Sequence, residues 1–166
     1  MTTSPIVRSY TTRETAAELR KALREAFPGV KFSVRMATGT ACGWITVAYV
    51  DGPVWDDVER IAGHYESERF DPMTDCYDLK ERPITPGLDD VLYEDRYACT
   101  GVTVTRDYSE NAKNWAAHTV IEGTIWFAYG EQYGNGDAEA AAYYGSSRLL
   151  AATDLTHGTP EVPPRP

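Results

Sequence analysis

The stretch from Val30 to Pro53, VKFSVRMATGTACGWITVAYVDGP, restricts the fold of this chain more than any other. Val30, Phe32, Val34 and Met36 alternate with Lys31, Ser33 and Arg35, the period-two pattern that buries one face of a strand and leaves the other polar. Gly43 to Val50 continues with Ile45, Val47 and Tyr49 on one face and Trp44, Thr46 and Ala48 on the other, so both faces have something to cover, as in a central strand. The residues between them, Ala37 to Cys42, are small or turn-prone and too many for a two-residue turn. A hairpin follows, closed by Asp51-Gly52-Pro53.

Helices flank it. Thr11 stands three residues before Glu14, the spacing at which a hydroxyl and a carboxylate reciprocally satisfy the free amides of a helix start. The helix runs to about Phe27, with Ala16, Leu19, Leu23, Ala26 and Phe27 on one face, and Pro28-Gly29 stops it. A second helix over 54–65 has Val54, Val58, Ile61, Ala62 and Tyr65 as its apolar face. Residues 97–107, with Val102 and Val104 among threonines, read as a third strand, and Ser109 caps a short helix over 110–118. The apolar run over 119–129 reads as a fourth strand because Gly123 counts against a helix, and 131–136 reads as a glycine-rich loop. Asp137 caps a final helix reaching Ala152. The pattern predicts an α+β fold: one domain over 1–155, a small and mostly antiparallel sheet of three to four strands packed by helices in the order α-β-β-α-β-α-β-α, and a mobile Pro-rich tail over 156–166.

GVKFSVR at Gly29 to Arg35, VDGP at Val50 to Pro53 and FDPMTD at Phe70 to Asp75 resemble the large polyvalent protein-associated domain 29 family, over roughly residues 11 to 107. The resemblance implies a setting in bacteriophages and conjugative elements, whose long multidomain proteins accompany incoming DNA. It implies no catalytic residues.

Charge is segregated along the chain. Residues 1–50 sum to +4, 51–95 to −10 and 96–166 to −3, within a total of −9. The tract over 66–96 concentrates this acidity, and Pro72, Pro83, Pro86 and Gly87 exclude a long helix from it, so it is expected to be a folded-back loop inserted in the domain. Cys42, Cys76 and Cys99 are odd in number and widely separated, which fits free thiols, and His64, His118 and His157 are isolated from one another and from any cysteine pair. The sequence therefore assigns no metal, cofactor or catalytic residue. It contains neither an apolar run of membrane-spanning length nor a secretory leader pattern, so the expected location is the cytoplasm of the host bacterium.

The reading that best uses the acidic tract is a non-enzymatic accessory or anti-defence protein that binds a host protein, such as a nucleic-acid-binding defence enzyme whose basic surface suits phosphate-like carboxylates. Its predicted contact residues are Phe70, Met73, Tyr77 and Tyr93 as anchors, with Asp71, Asp75, Asp78, Asp89 and Asp90 around them. An alternative is a nucleic-acid-binding module using Arg13, Arg20 and Arg24 of the first helix, which a net charge of −9 opposes. A second alternative is a small carboxylate- or metal-dependent hydrolase built on Asp89-Asp90 and Glu94-Asp95.

Overall fold

The computed structural model describes residues 4–82, 84–87, 91–121 and 124–161. The fold is α+β. Its elements are β1 (Ile6–Tyr10), α1 (Thr12–Ala26), β2 (Ser33–Met36), β3 (Trp44–Val50), α2 (Trp55–Gly63), β4 (Glu68–Asp71), β5 (Cys76–Leu79), β6 (Ile84–Pro86), β7 (Leu92–Tyr97), β8 (Gly101–Asp107), α3 (Glu110–Thr119), α4 (Ile125–Gly134) and α5 (Ala138–Ala152). By packing, the chain divides into a first unit of Met1–Pro28, Phe32–Ala48 and Val58–Thr105 and a second of Gly29–Lys31, Tyr49–Asp57 and Arg106–Pro166.

The first unit holds the predicted hairpin. β2 pairs antiparallel with β3, Val34 opposite Val47 and Met36 opposite Ile45, in a sheet of order β2-β3-β8. α1 starts at the expected cap: Thr11 accepts from the Glu14 amide, and the Glu14 carboxylate accepts from the Thr11 amide at 2.8 Å. Among the described residues, Ala16, Leu19 and Leu23 of α1, Val34, Ile45, Val47, Val58, Ala62, Cys99, Val102 and Val104 are its buried apolar side chains. Ala26, placed on the buried face by its spacing, is exposed at the last turn of the helix. Met36 is likewise exposed, at the end of its strand.

A second sheet, of order β1-β7-β6, was not legible in the sequence. β1 lies parallel to β7, with Arg8 opposite Asp95 and Tyr10 opposite Tyr97, while β6 runs antiparallel on the other side of β7. The tract over 66–96 is therefore not a featureless loop. It forms the β4–β5 hairpin, β6 and most of β7, because its prolines fall at Pro72 in a turn and at Pro86 in a sheet-edge strand, where a missing N–H costs no ladder bond.

The second unit is dominated by helices. α3 and α5 start at Ser109 and Asp137 as expected. The predicted fourth strand is wrong: Ile125–Gly134 is the helix α4, capped by the Thr124 hydroxyl, which accepts from the Phe127 amide at 3.2 Å. Of the glycines in the expected loop, Gly134 is a packing point, where a Cβ would lie 2.9 Å from the Ala141 amide nitrogen, while Gly136 faces open space; Gly130 and Gly145 on the two helices are packed more tightly still. A Cβ on Gly130 would lie 1.8 Å from the Ala141 carbonyl oxygen, and one on Gly145 would lie 2.3 Å from that of Trp126, so α4 and α5 approach at backbone contact. Trp115, Ala116, Val120, Phe127, Ala141, Leu149 and Leu150 form the core of this unit. Arg106 closes the end of α5: its Nη2 donates to the Thr153 carbonyl at 2.7 Å and its Nη1 to those of Leu150 and Ala151 at 3.3 Å, placing a cation on the negative end of the helix. The same guanidinium donates to the Asp51 and Gly52 carbonyls at 2.9 and 3.1 Å, holding the DGP turn. Among the described residues, no helix is long and apolar enough to cross a membrane.

Candidate protein-docking site

The acidic tract places Phe70, Met73, Tyr77 and Leu79 on one hairpin. In the β4–β5 ladder Phe70 faces Tyr77, Glu68 faces Leu79, Arg69 faces Asp78 and Asp71 faces Cys76. Side chains alternate across a strand, so Phe70, Tyr77 and Leu79 share one face and Arg69, Asp71, Cys76 and Asp78 the other. The Phe70 and Tyr77 rings lie 5.3 Å apart at 56°, the tilted contact that cross-strand aromatics favour. Both faces are open. Phe70, Tyr77 and Leu79 are exposed, and Met73 at the tip is 91% exposed.

Local chemistry fixes the tip and the root. The Asp71 carboxylate accepts from the Met73 amide at 2.9 Å and the Thr74 hydroxyl at 3.1 Å, and Asp75 takes the left-handed conformation, φ 54°, that reverses the chain. At the root, Ser67 donates its amide and its hydroxyl to the Cys99 carbonyl at 2.7 and 2.8 Å. Lys80 donates to the Gly63 carbonyl at 2.8 Å and pairs with Glu66 at 2.5 Å, while the other Glu66 oxygen accepts from the Val102 amide at 3.0 Å. The hairpin is thus anchored at one end and bare at the other. A shallow groove of about 230 Å³ on it is lined by Arg69, Phe70, Asp71, Pro72 and Asp78.

The predicted contact residues separate into groups. Phe70, Asp71, Met73, Asp75, Tyr77 and Asp78 come together on the hairpin. Asp71 serves the turn, whereas among the described residues Asp75 and Asp78 have no ion-pair partner. Tyr93 lies in the other sheet, half-buried, with the Arg8 guanidinium 4.4 Å from its ring centre. Asp89 and Asp90 fall outside the described residues. Leu79, on the same face as Phe70 and Tyr77, was missed, since only the strand register puts it there.

Part of the tract's acidity is neutralised within the first unit. Asp95, 4% exposed, accepts two bonds from Arg8 at 2.7 and 2.8 Å, with further bonds from Thr85 at 3.1 Å and Tyr10 at 3.3 Å. Burial pushes its carboxyl upward, but the hydrogen bonds from Arg8 and Thr85 and the Arg8 charge outweigh that and hold it below the usual range. Glu94 pairs with Arg96 at 2.9 Å and with Arg82 at 3.6 Å. Burial first, then the Asp95 charge, raises the neighbouring Tyr97 phenol. The proposed Glu94-Asp95 pair is thereby committed to Arg8, Arg82 and Arg96. Among the described residues, no group of three His, Cys, Asp or Glu side chains is placed to hold a metal ion.

The arginines of α1 are also engaged in part. Arg20 donates to the Val34 carbonyl at 2.7 Å and Arg24 to the Arg20 carbonyl at 3.2 Å, while Arg13 is exposed.

Compared with known families, the chain matches the model of large polyvalent protein associated domain 29 over residues 10–109. It belongs to that family. No curated protein and no solved structure matches the chain. Membership associates it with bacteriophages and mobile elements. The domain-29 region contains the whole β4–β5 hairpin and ends at Ser109, the cap of α3, so α3, α4 and α5 are additions beyond the family match.

Proposed function

We propose that this domain-29 protein is a non-enzymatic accessory of a phage or mobile element that docks on a host protein through the β4–β5 hairpin. The observation that carries the reading is an anchored two-stranded hairpin whose Phe70, Tyr77, Leu79 and Met73 side chains stay exposed. A hairpin of two strands gains little from water-exposed aromatics, and exposed aromatics rimmed by carboxylates are the composition of a contact hot spot. Asp75 and Asp78 select a basic partner surface, of the kind nucleic-acid-binding defence enzymes present, and speed its encounter.

The test is photocrosslinking in the host cell from benzoylphenylalanine placed at Met73, the most exposed of these residues. A discrete crosslinked species that is lost in Phe70→Ser/Tyr77→Ser and weakened in Asp75→Lys/Asp78→Lys supports the reading. A crosslinking pattern unchanged by both double variants overturns it.

A further inference from the structure

We infer that the hairpin takes its partner as a third β-strand, an extended segment of alternating apolar and basic residues laid along the outer edge of β5. The inference rests on the docking reading above and specifies how recognition occurs. The Lys80 amide donates to the Ser67 carbonyl at 3.0 Å, which makes Ser67 and Lys80 a hydrogen-bonded pair of the ladder. In an antiparallel ladder such pairs alternate with non-bonded ones, so Arg69/Asp78 and Asp71/Cys76 bond inward, while Glu68/Leu79 and Phe70/Tyr77 do not. The N–H and C=O groups of Tyr77 and Leu79 therefore point away from β4. Among the described residues, no hydrogen bond from another segment reaches them.

Other edges are guarded or lack the matching charge. β6 carries Pro86, and on β8 the Val102 amide donates to the Glu66 carboxylate. The root of β4 is bonded to Cys99 through Ser67. β1 is also an edge and exposes Ile6 and Val7, yet it contains no carboxylate. Past the root of β4 the groups of Glu68 and Phe70 also point outward, but the residue between them is Arg69, a cation that repels a basic segment, whereas on β5 the residue between Tyr77 and Leu79 is Asp78.

The register dictates the partner. A residue opposite Tyr77 or Leu79 falls on the face they share with Phe70, and the residue between falls on the face of Asp78, with Asp75 in the adjoining turn. An apolar-basic-apolar-basic segment satisfies both faces, with main-chain bonds giving affinity and alternate side chains giving specificity.

The probe is a fluorescein-labelled VKVKVKV peptide titrated against the full chain by anisotropy, beside its isomer KKKVVVV and two forms N-methylated on every valine or every lysine amide. Binding should be at least tenfold tighter for the alternating peptide than for its isomer. Methylation of one set of amides should abolish it and methylation of the other should spare it, because only one set faces β5. The Tyr77 and Leu79 amides should slow in hydrogen exchange on binding, whereas the inward Asp78 amide should change little. Equal binding of both isomers, or survival of both methylations, overturns strand addition. If that binding is still lost in Phe70→Ser/Tyr77→Ser, the hairpin stands as the docking site without it. Binding indifferent to that double variant removes both readings, and no binding of any peptide removes strand addition alone.

Discussion

Asp95 is a single buried carboxylate that joins three strands: it stands on β7 and receives bonds from Arg8 of β1 and Thr85 of β6. Because its folded pKa lies below the unfolded value, its contribution is complete above the unfolded pKa, about 3.9, and is lost as pH falls through the folded one. Asp95→Asn keeps the shape and removes the charge. It should cost about 1–3 kcal/mol near pH 7, where charge-assisted bonds are replaced by weaker ones, and flatten the loss of stability below about pH 4. Urea midpoints at pH 7 and pH 3 check both, since the gap between variant and parent should be narrower at the lower pH. Cys99 behaves oppositely to a reactive thiol. Burial pushes it up to about 11, whereas Cys42 and Cys76 are exposed. A thiol reagent at pH 8 should therefore titrate Cys42 and Cys76 in the folded protein and reach Cys99 only in denaturant.

At the scale of elements, the α4–α5 contact gives the sharpest expectation. Gly130→Ala gains about 1 kcal/mol of helix propensity, but its Cβ would meet the Ala141 carbonyl oxygen at 1.8 Å, a backbone atom that cannot turn aside. Overpacking costs typically run to about 1–3 kcal/mol and exceed the gain where backbone must move, so the variant should melt several degrees lower. Gly136→Ala, in the turn after α4 with open space around it, meets only the strain of φ +84° and should cost about 1 kcal/mol. The same glycines explain what the sequence hid. α1 was readable because its cap and helical periodicity agree, α2 from its periodicity, α3 and α5 from their caps, and the β2–β3 hairpin because alternation is strict. α4 was not, since its run IWFAYG is apolar on every side and has no helical or strand period to separate the two. β1 and β7 were lost for another reason: their pairing is parallel and joins residues far apart in the chain, so no local turn announces it. For the candidate site, sequence supplied Phe70, Met73, Tyr77 and the acids, but which of them share a face depends on register, and that brought in Leu79 and set Tyr93 apart.

For the molecule as a whole, the charge of −9 bears on the proposed choice of a protein over nucleic acid as partner. Affinity for a duplex comes chiefly from phosphate neutralisation, with a salt slope of about −0.9 per phosphate contacted. The most basic helix supplies Arg13, Arg20 and Arg24, of which Arg20 and Arg24 already donate to backbone carbonyls, so few contacts remain to offset the repulsion of the surrounding acids. The internal pairing of Asp95, Glu94 and Glu66 lowers that repulsion without reversing its sign. A labelled 20-base-pair duplex should accordingly show no anisotropy change with micromolar protein at 0.1 M salt, and lowering the salt to 0.02 M should produce only weak, sequence-independent binding. Tight binding with a slope near −3, removed by Arg13→Ala/Arg20→Ala/Arg24→Ala, would instead make α1 the working surface and leave the hairpin without its assigned role. Measured beside the VKVKVKV titration at the same salt, the two signals should move in opposite directions when Asp75 and Asp78 are made lysine: duplex affinity rises with the added positive charge, and peptide affinity falls with the loss of its acidic complement.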